Sequence, residues 1–135
     1  MIKIRDLKLN FPRGMSLSID ELSIEEGRIF AIIGPNGAGK TTFLNIIALF
    51  QKPDDGSIEI WGENILNIKN AVNFRRKLSF VFSQPYLFCG TVYDNIALPL
   101  RLRGIDDAKA VNEMLELFKI GHLKSNIAKT LSQGE

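Results

Sequence analysis

This chain reads Gly34-Pro35-Asn36-Gly37-Ala38-Gly39-Lys40-Thr41-Thr42 directly after the apolar run Ile29–Ile33. The stretch matches the phosphate-binding pattern G-x-x-x-x-G-K-[ST]. This pattern indicates a phosphate site when it lies between a buried strand and a helix. The apolar run is typical of a strand buried on both faces. The residues after the loop have the apolar spacing of a helix, with Phe43, Leu44, Ile47 and Leu49 predicted to face a core. The context therefore predicts a strand, a phosphate loop and a helix.

Each part of this loop has a physical task. Its glycines let the backbone fold closely around a polyphosphate and turn N–H groups inward. The helix that follows adds the positive end of its dipole. Lys40 would reach the β- and γ-phosphates, and the Thr41 hydroxyl would bind Mg²⁺. We therefore expect a bound nucleoside triphosphate, with the following cofactor-binding residues in the loop: Gly34, Pro35, Asn36, Gly37, Ala38, Gly39, Lys40, Thr41 and Thr42.

Composition limits the class of protein. A chain of 135 residues corresponds to one domain. Its net charge of +2 is small and dispersed, so it gives no argument for nucleic acid or a membrane surface as a partner. The single cysteine, Cys89, excludes an internal disulfide framework and a multi-cysteine metal site. The apolar stretches are shorter than the roughly 20 residues of a spanning helix. We expect a soluble, cytoplasmic chain that meets a membrane only through partners.

Period-two patterns predict strands in the first half of the chain. Ile2–Leu9 is predicted to be a strand with a kink near Asp6, and Met15 to Ile19 a second, half-buried strand. Further strands are predicted at Arg28–Ile33, Ser57–Trp61 and Leu78–Phe82.

The second half is predicted to be mostly helical. Ile65–Lys77 is weakly helical, a helix begins near Thr91 and is kinked or ended by Pro99, and Asp106 caps another helix through Ile120. These elements indicate an α/β nucleotide-binding core with a helical region inserted into it. We divide the single domain into a core portion, residues 1–84, and a helical region, residues 85–135.

Two further features narrow the class. Gln84 follows a predicted strand 44 residues after Lys40, and the stretch Leu131-Ser132-Gln133-Gly134-Glu135 comes later, with Ser132 48 residues beyond Gln84. With the phosphate loop, this order resembles the nucleotide-binding domain of ATP-binding cassette (ABC) proteins, in which the glutamine belongs to the Q-loop and L-S-x-G-[QE] is the signature motif. The resemblance runs from Ile2 to the last residue, and it implies an ABC-type phosphate-loop NTPase core with an N-terminal antiparallel β subdomain and an inserted helical subdomain.

The resemblance also implies roles for single residues. Phe11, 29 residues before Lys40, stands where family members carry an aromatic ring that stacks on adenine; stacking and simple packing remain equal alternatives. Gln84 would bind Mg²⁺ and orient the attacking water, which makes Lys40 and Gln84 the catalytic candidates. Ser132 and Gly134 would contact the γ-phosphate held by a second subunit. The implied cofactors are ATP and Mg²⁺.

The implied partners are a second cassette, in a head-to-tail dimer, and transmembrane subunits that meet the region Pro85–Leu102. The chain would then lie at the inner face of the cytoplasmic membrane as the ATP-hydrolysing subunit of a transporter. A compact cassette without a fused membrane span resembles importers more than exporters. A non-transport ABC protein and a nucleotide-binding or interaction fragment without hydrolysis remain alternatives, although the compact spacing from Gln84 to Ser132 favours transport.

The sequence ends at Glu135, directly after the signature. Family members continue into a strand with an Asp-Glu pair and a loop with a switch histidine. We therefore expect a cassette cut short, whose residues 1–135 hydrolyse ATP poorly or not at all. We also expect Ile29–Ile33 to be an exposed apolar edge that a neighbouring chain covers.

Overall fold

A computed structural model describes residues 1–12, 14–84 and 86–132. The chain divides into two compact units, Met1–Phe80 and Val81–Glu135, and each is described here by itself. No helix in the described part of the chain combines the length and the apolar character needed to cross a bilayer.

The first unit contains a four-stranded antiparallel sheet. Its strands are β1 (Ile2–Asn10), β2 (Ser16–Ile24), β3 (Asp55–Ile60) and the short β4 (Glu63–Asn64), in the order β2-β1-β3-β4. The central strand β1 contributes three buried side chains, Ile4, Leu7 and Leu9. The predictions for β1, β2 and β3 are confirmed, and β2 runs five residues further than predicted.

A bulge bends β1 where the sequence predicted a kink. The pairing of β1 with β3 changes register between Arg5 and Lys8, and Asp6 has φ +51°. Gly56 of β3 faces this bulge with φ +100°, and a Cβ there would lie 2.6 Å from both the Asp6 carbonyl oxygen and the Leu7 Cα. The bulge therefore requires glycine at position 56.

Helices pack on this sheet to form the core of the first unit. The helices are α1 (Lys40–Ile47) and α2 (Ala71–Arg75), with a 3₁₀ turn at Ile65–Asn67. The predicted weak helix over Ile65–Lys77 is therefore two short pieces. Leu44, predicted to face the core, is 44% exposed, and Ile46 is buried instead. The core consists of Ile4, Leu7, Leu9, Phe43, Ile46, Ile58, Ile60, Ile65 and Phe74.

Two predicted strands are absent from the structure. Neither Arg28–Ile33 nor Leu78–Phe82 is a strand, and both predictions are wrong. Ile29 and Ile33 are 101% and 94% exposed, which agrees with the expected exposure of this apolar segment. A β-strand forms only when it is hydrogen-bonded to a neighbouring strand. Among the described residues, no strand is paired with either of these two segments.

The second unit is built on two helices, α3 (Val92–Arg101) and α4 (Ala108–Leu117). Together with two 3₁₀ turns, Gly121–Leu123 and Ala128–Thr130, they enclose a small core of Val92, Ala97, Val111, Leu115, Leu123 and Ala128. Pro99 lies inside α3, which ends two residues later. The cap of α4 is Asp107, whose carboxylate accepts a bond from the Ala110 N–H at 2.9 Å, so the prediction of Asp106 is wrong by one residue.

A capping box begins α3. The Thr91 hydroxyl accepts a bond from the Asp94 N–H, while the Asp94 carboxylate accepts bonds from the Thr91 N–H and hydroxyl. Arg101 forms an ion pair with Asp94 at 3.2 Å. These hydrogen bonds from Thr91, followed by the hydrogen bond and the charge of Arg101, lower the pKa of Asp94 from its ordinary value of 3.8.

Candidate nucleotide-binding site

The glycine-rich loop turns sharply and ends in helix α1. The Ala38 N–H donates to the Pro35 carbonyl at 3.3 Å, and Gly37 and Gly39 have φ values of +84° and +86°. Residues with a side chain rarely adopt this left-handed backbone conformation, so both positions favour glycine. Gly39 is the N-cap of α1 and accepts a bond from the Phe43 N–H at 2.8 Å.

The first turn of α1 presents donors to the loop. Gly39 supplies no side-chain cap, and the first turn contains no acidic residue. The first four N–H groups of a helix have no partner within it. The N–H groups of Lys40, Thr41 and Thr42 therefore form, with the helix dipole, a favourable place for an anion.

The Lys40 side chain folds back over the loop. Its Nζ donates to the carbonyl oxygens of Gly34 and Pro35 at 2.8 and 2.7 Å. An ammonium group has three N–H donors, so these two bonds hold the charge over the loop and leave one donor direction for a ligand. Gly34 and Pro35 thus act through their backbone carbonyls, by positioning Lys40.

The loop and the β1–β2 turn line one cavity of about 300 Å³. Among the described residues, the loop and α1 provide the polar side chains, and the β1–β2 turn provides two large apolar ones, Phe11 and Met15. The described lining is Phe11, Met15, Asn36, Gly37, Gly39, Lys40, Thr41 and Thr42. This combination of a few polar groups with an aromatic wall is typical of a small-molecule site.

Backbone bonds fix the turn that carries Phe11. The Phe11 N–H donates to the Met15 carbonyl at 2.8 Å, and the Gly14 N–H donates to the Phe11 carbonyl at 3.1 Å. Phe11 is half-buried against the core of the first unit. Leu17 of β2 lies against Gly39, since a Cβ at that glycine would be 3.2 Å from the Leu17 Cδ1. The strand β2, which follows the turn, therefore packs against the loop at Gly39.

The structure brings most of the predicted loop residues and Phe11 into this one cavity. Ala38 lies beside it, in an apolar pocket that also contacts Leu17 and Phe43. Gln84 and Ser132 belong to the second unit, and Gly134 lies outside the described residues. The functional roles of Gln84, Ser132 and Gly134 therefore stay predictions.

Sequence reasoning assigned no binding role to Met15, although it lines the cavity. A signal was present in the alternation of the predicted strand from Met15 to Ile19, because side chains two residues apart on a strand share a face. Leu17 contacts Gly39 of the loop, and Met15 lies in the cavity beside the same glycine.

The donor set fits a magnesium ion bound together with phosphates. The described residues contain no cluster of three or more His, Cys, Asp or Glu side chains that would hold a metal alone. Mg²⁺ usually keeps several waters and binds substrate phosphates with few protein ligands, and in this loop motif the Ser/Thr hydroxyl is one of those ligands. The Thr41 hydroxyl, which lines the same cavity as Lys40, suits that mode of binding.

Comparison with known proteins identifies the family of the chain. The family model described as "ABC transporter" matches residues 17–135. The chain therefore belongs to the ABC transporter family, which confirms the resemblance and the fold class predicted from the sequence.

Individual relatives agree with this assignment. The chain is 37% identical to the methionine import ATP-binding protein of Legionella pneumophila (strain Paris), over the whole chain and 41% of that protein. It is also 37% identical to the tungstate uptake system ATP-binding protein of Peptoclostridium acidaminophilum, over 99% of the chain and 61% of that protein. The chain thus spans about two fifths to three fifths of the length of these relatives.

Solved structures show the same fold. A dimeric ATP-binding cassette in a post-hydrolysis state, bound to ADP and Pi, has a TM-score of 0.84 and 30% identity, and the match covers 99% of this chain and 64% of that one. A Clostridium perfringens protein that is part of the ABC transporter complex cbiONQ has a TM-score of 0.80 and 26% identity. That match covers 98% of this chain and 56% of the other.

Proposed function

We propose that this chain binds ATP in the cavity between the glycine-rich loop and the β1–β2 turn. The observation that carries the proposal is the joint lining of one cavity by Phe11, Gly39 and Lys40. The loop supplies N–H groups and an ammonium for the phosphates, and the Phe11 ring supplies a surface for the base. The relatives are named as ATP-binding proteins, which supports this choice of nucleotide.

Mg²⁺ would enter with the nucleotide, held by the Thr41 hydroxyl and the phosphates, with Gln84 as a further ligand. Such an ion neutralises charge on the transferring phosphoryl group. The residues of this chain do the positioning. Lys40 and the amides of α1 hold the phosphates, and the Gln84 amide would orient a water molecule.

In the assembled protein, we propose that ATP binding and hydrolysis drive import of a solute through membrane subunits, at the inner face of the cytoplasmic membrane. The relatives' names as import and uptake proteins support the direction of transport. Tyr86 and Phe88, 78% and 51% exposed with ring centroids 5.2 Å apart, offer an apolar contact for those subunits next to Gln84.

A second cassette would complete the site in a head-to-tail dimer. Ser132 and Gly134 of one chain would contact the γ-phosphate bound by its partner. The similarity to a dimeric ATP-binding cassette supports this arrangement.

One observation favours nucleotide binding without rapid turnover by these 135 residues. Among the described residues that line the cavity, none is acidic, so the lining offers no carboxylate to polarise water. Binding by this chain and hydrolysis by it are therefore separate proposals with separate tests.

Calorimetric titration with Mg·ATP tests the binding proposal. Lys40→Ala removes the ammonium over the loop and should weaken ATP binding by about 10- to 100-fold, as expected for a charge-assisted hydrogen bond. Lys52→Ala, which removes an exposed lysine outside the cavity, is the matched control and should bind as the wild type does. Equal ATP affinity of the Lys40→Ala variant and the wild type would overturn the proposal.

A further inference from the structure

We propose that Met15 is a second apolar contact for the nucleobase, beside Phe11, and that it contributes to affinity through the base rather than through the phosphates. The inference rests on the proposed ATP site. It concerns a residue that the family model leaves out, since that match begins at Leu17.

The exposure of Met15 is the first observation. Its side chain is 57% exposed, so it contributes little to the core of the first unit. It nevertheless lines the same cavity as Lys40 and Phe11. A large apolar side chain at the wall of a concave site gains free energy when a ligand covers it.

The second observation is that the position of Met15 is fixed. Its carbonyl oxygen accepts the Phe11 N–H at 2.8 Å, which closes the turn and sets the spacing between the two residues. Met15 directly precedes β2. Leu17 of β2 packs against Gly39 of the loop, and Met15 itself lines the cavity with Gly39 and Lys40.

The third observation is the chemistry of the lining. Among the described residues of the lining, the polar side chains, Asn36, Lys40, Thr41 and Thr42, come from the loop and α1. The two described lining residues of the β1–β2 turn contribute a ring and a thioether. A flexible, polarizable thioether makes favourable contacts with an aromatic system and adapts to its shape. Such a contact recognises a flat heterocycle by its face and does not distinguish adenine from guanine.

The test separates the base from the phosphates by titrating three probes: Mg·ATP, Mg·GTP and Mg·tripolyphosphate. Met15→Ala should weaken ATP and GTP binding to a similar extent, by about three- to tenfold, and leave tripolyphosphate affinity within about twofold. Met15→Leu keeps the apolar area and should stay within about twofold of wild type for every probe. Met114→Ala, at a methionine of α4 that is 42% exposed, is the control for loss of a surface methionine.

The outcomes distinguish this inference from the proposed function. If the wild type binds neither ATP nor tripolyphosphate, the proposed site itself is refuted. If the wild type binds ATP and the Met15→Ala variant binds it equally well, only the role of Met15 is refuted. Loss of tripolyphosphate affinity in the Met15→Ala variant, equal to its loss of ATP affinity, would show that Met15 acts on the loop and would also overturn the inference.

Discussion

Substitution of the two loop glycines by alanine gives a quantitative test of how the loop is held. Gly37 and Gly39 have nearly equal φ values, +84° and +86°. Their surroundings differ, because a Cβ at position 37 would meet nothing within 4 Å, whereas a Cβ at position 39 would lie 3.2 Å from the Leu17 Cδ1. The pair therefore separates backbone strain from steric contact.

The magnitudes follow from this geometry. A left-handed conformation costs an alanine roughly 1–2 kcal/mol, and both variants should lose about that much free energy of unfolding. Gly39→Ala should lose about 1 kcal/mol more, at the low end of the overpacking range, because the end of the Leu17 side chain can move by a few tenths of an ångström. In the Leu17→Ala background this extra loss should disappear, which a double-mutant cycle measures as a coupling of about 1 kcal/mol.

Urea unfolding followed by tryptophan fluorescence is the assay. Trp61 is the only tryptophan of the chain and lies in the first unit, with its ring centroid 6.1 Å from that of Phe74. The reasoning is refuted if Gly37→Ala and Gly39→Ala lose equal free energy, or if the difference persists in the Leu17→Ala background. Either result would mean that β2 does not support the loop.

Three further predictions follow from the structure. Gly56→Ala should lower the free energy of unfolding by about 3 kcal/mol or more, because its Cβ would collide with backbone atoms; Gly27→Ala, with φ +73° and open space, should cost only about 1–2 kcal/mol in the same urea assay. Thr91→Ala should lose about 1 kcal/mol of stability by circular dichroism. Since the folded-state pKa of Asp94 lies below 3.8, the stabilising contribution of Asp94 is complete above pH 3.8 and is lost as the pH falls through the folded-state pKa. The free energy of unfolding of the Thr91→Ala variant should therefore fall less at acid pH than that of the wild type. An equal fall in both proteins would contradict the role of Thr91 and Asp94 in capping α3. Purified 1–135 should release phosphate from ATP no faster than its Lys40→Ala variant, and a steady-state rate that this substitution abolishes would refute slow turnover.

Local chemistry made much of the first unit predictable from the sequence. The period-two patterns of β1 and β2 depend on neighbours within the same hairpin, and the loop motif carries its own glycines at the positions where φ is positive. The kink near Asp6 was also correctly predicted. The strand patterns and the loop are decided by residues close in the sequence, whereas the bulge at Asp6 also requires Gly56 of β3.

The errors occur where structure depends on distant partners. Arg28–Ile33 and Leu78–Phe82 have the composition of buried strands, but apolar composition creates no strand without a hydrogen-bonded neighbour. The buried face of α1 includes Ile46 and not the predicted Leu44, because the rotation of the helix about its axis depends on its tertiary contacts. Met15 was missed because the alternation that puts Met15 and Leu17 on one face does not say which element that face meets, and the packing of Leu17 on Gly39 decides this.

The most direct test of the central claim is an amide NMR titration of the chain with Mg·ATP. We predict saturable shifts concentrated at Gly37, Gly39, Lys40 and Thr41, whose N–H groups surround the proposed phosphate position, together with shifts at Phe11. Shifts confined to other surfaces, or a spectrum unchanged at millimolar nucleotide, would contradict the assignment of this cavity as the ATP site.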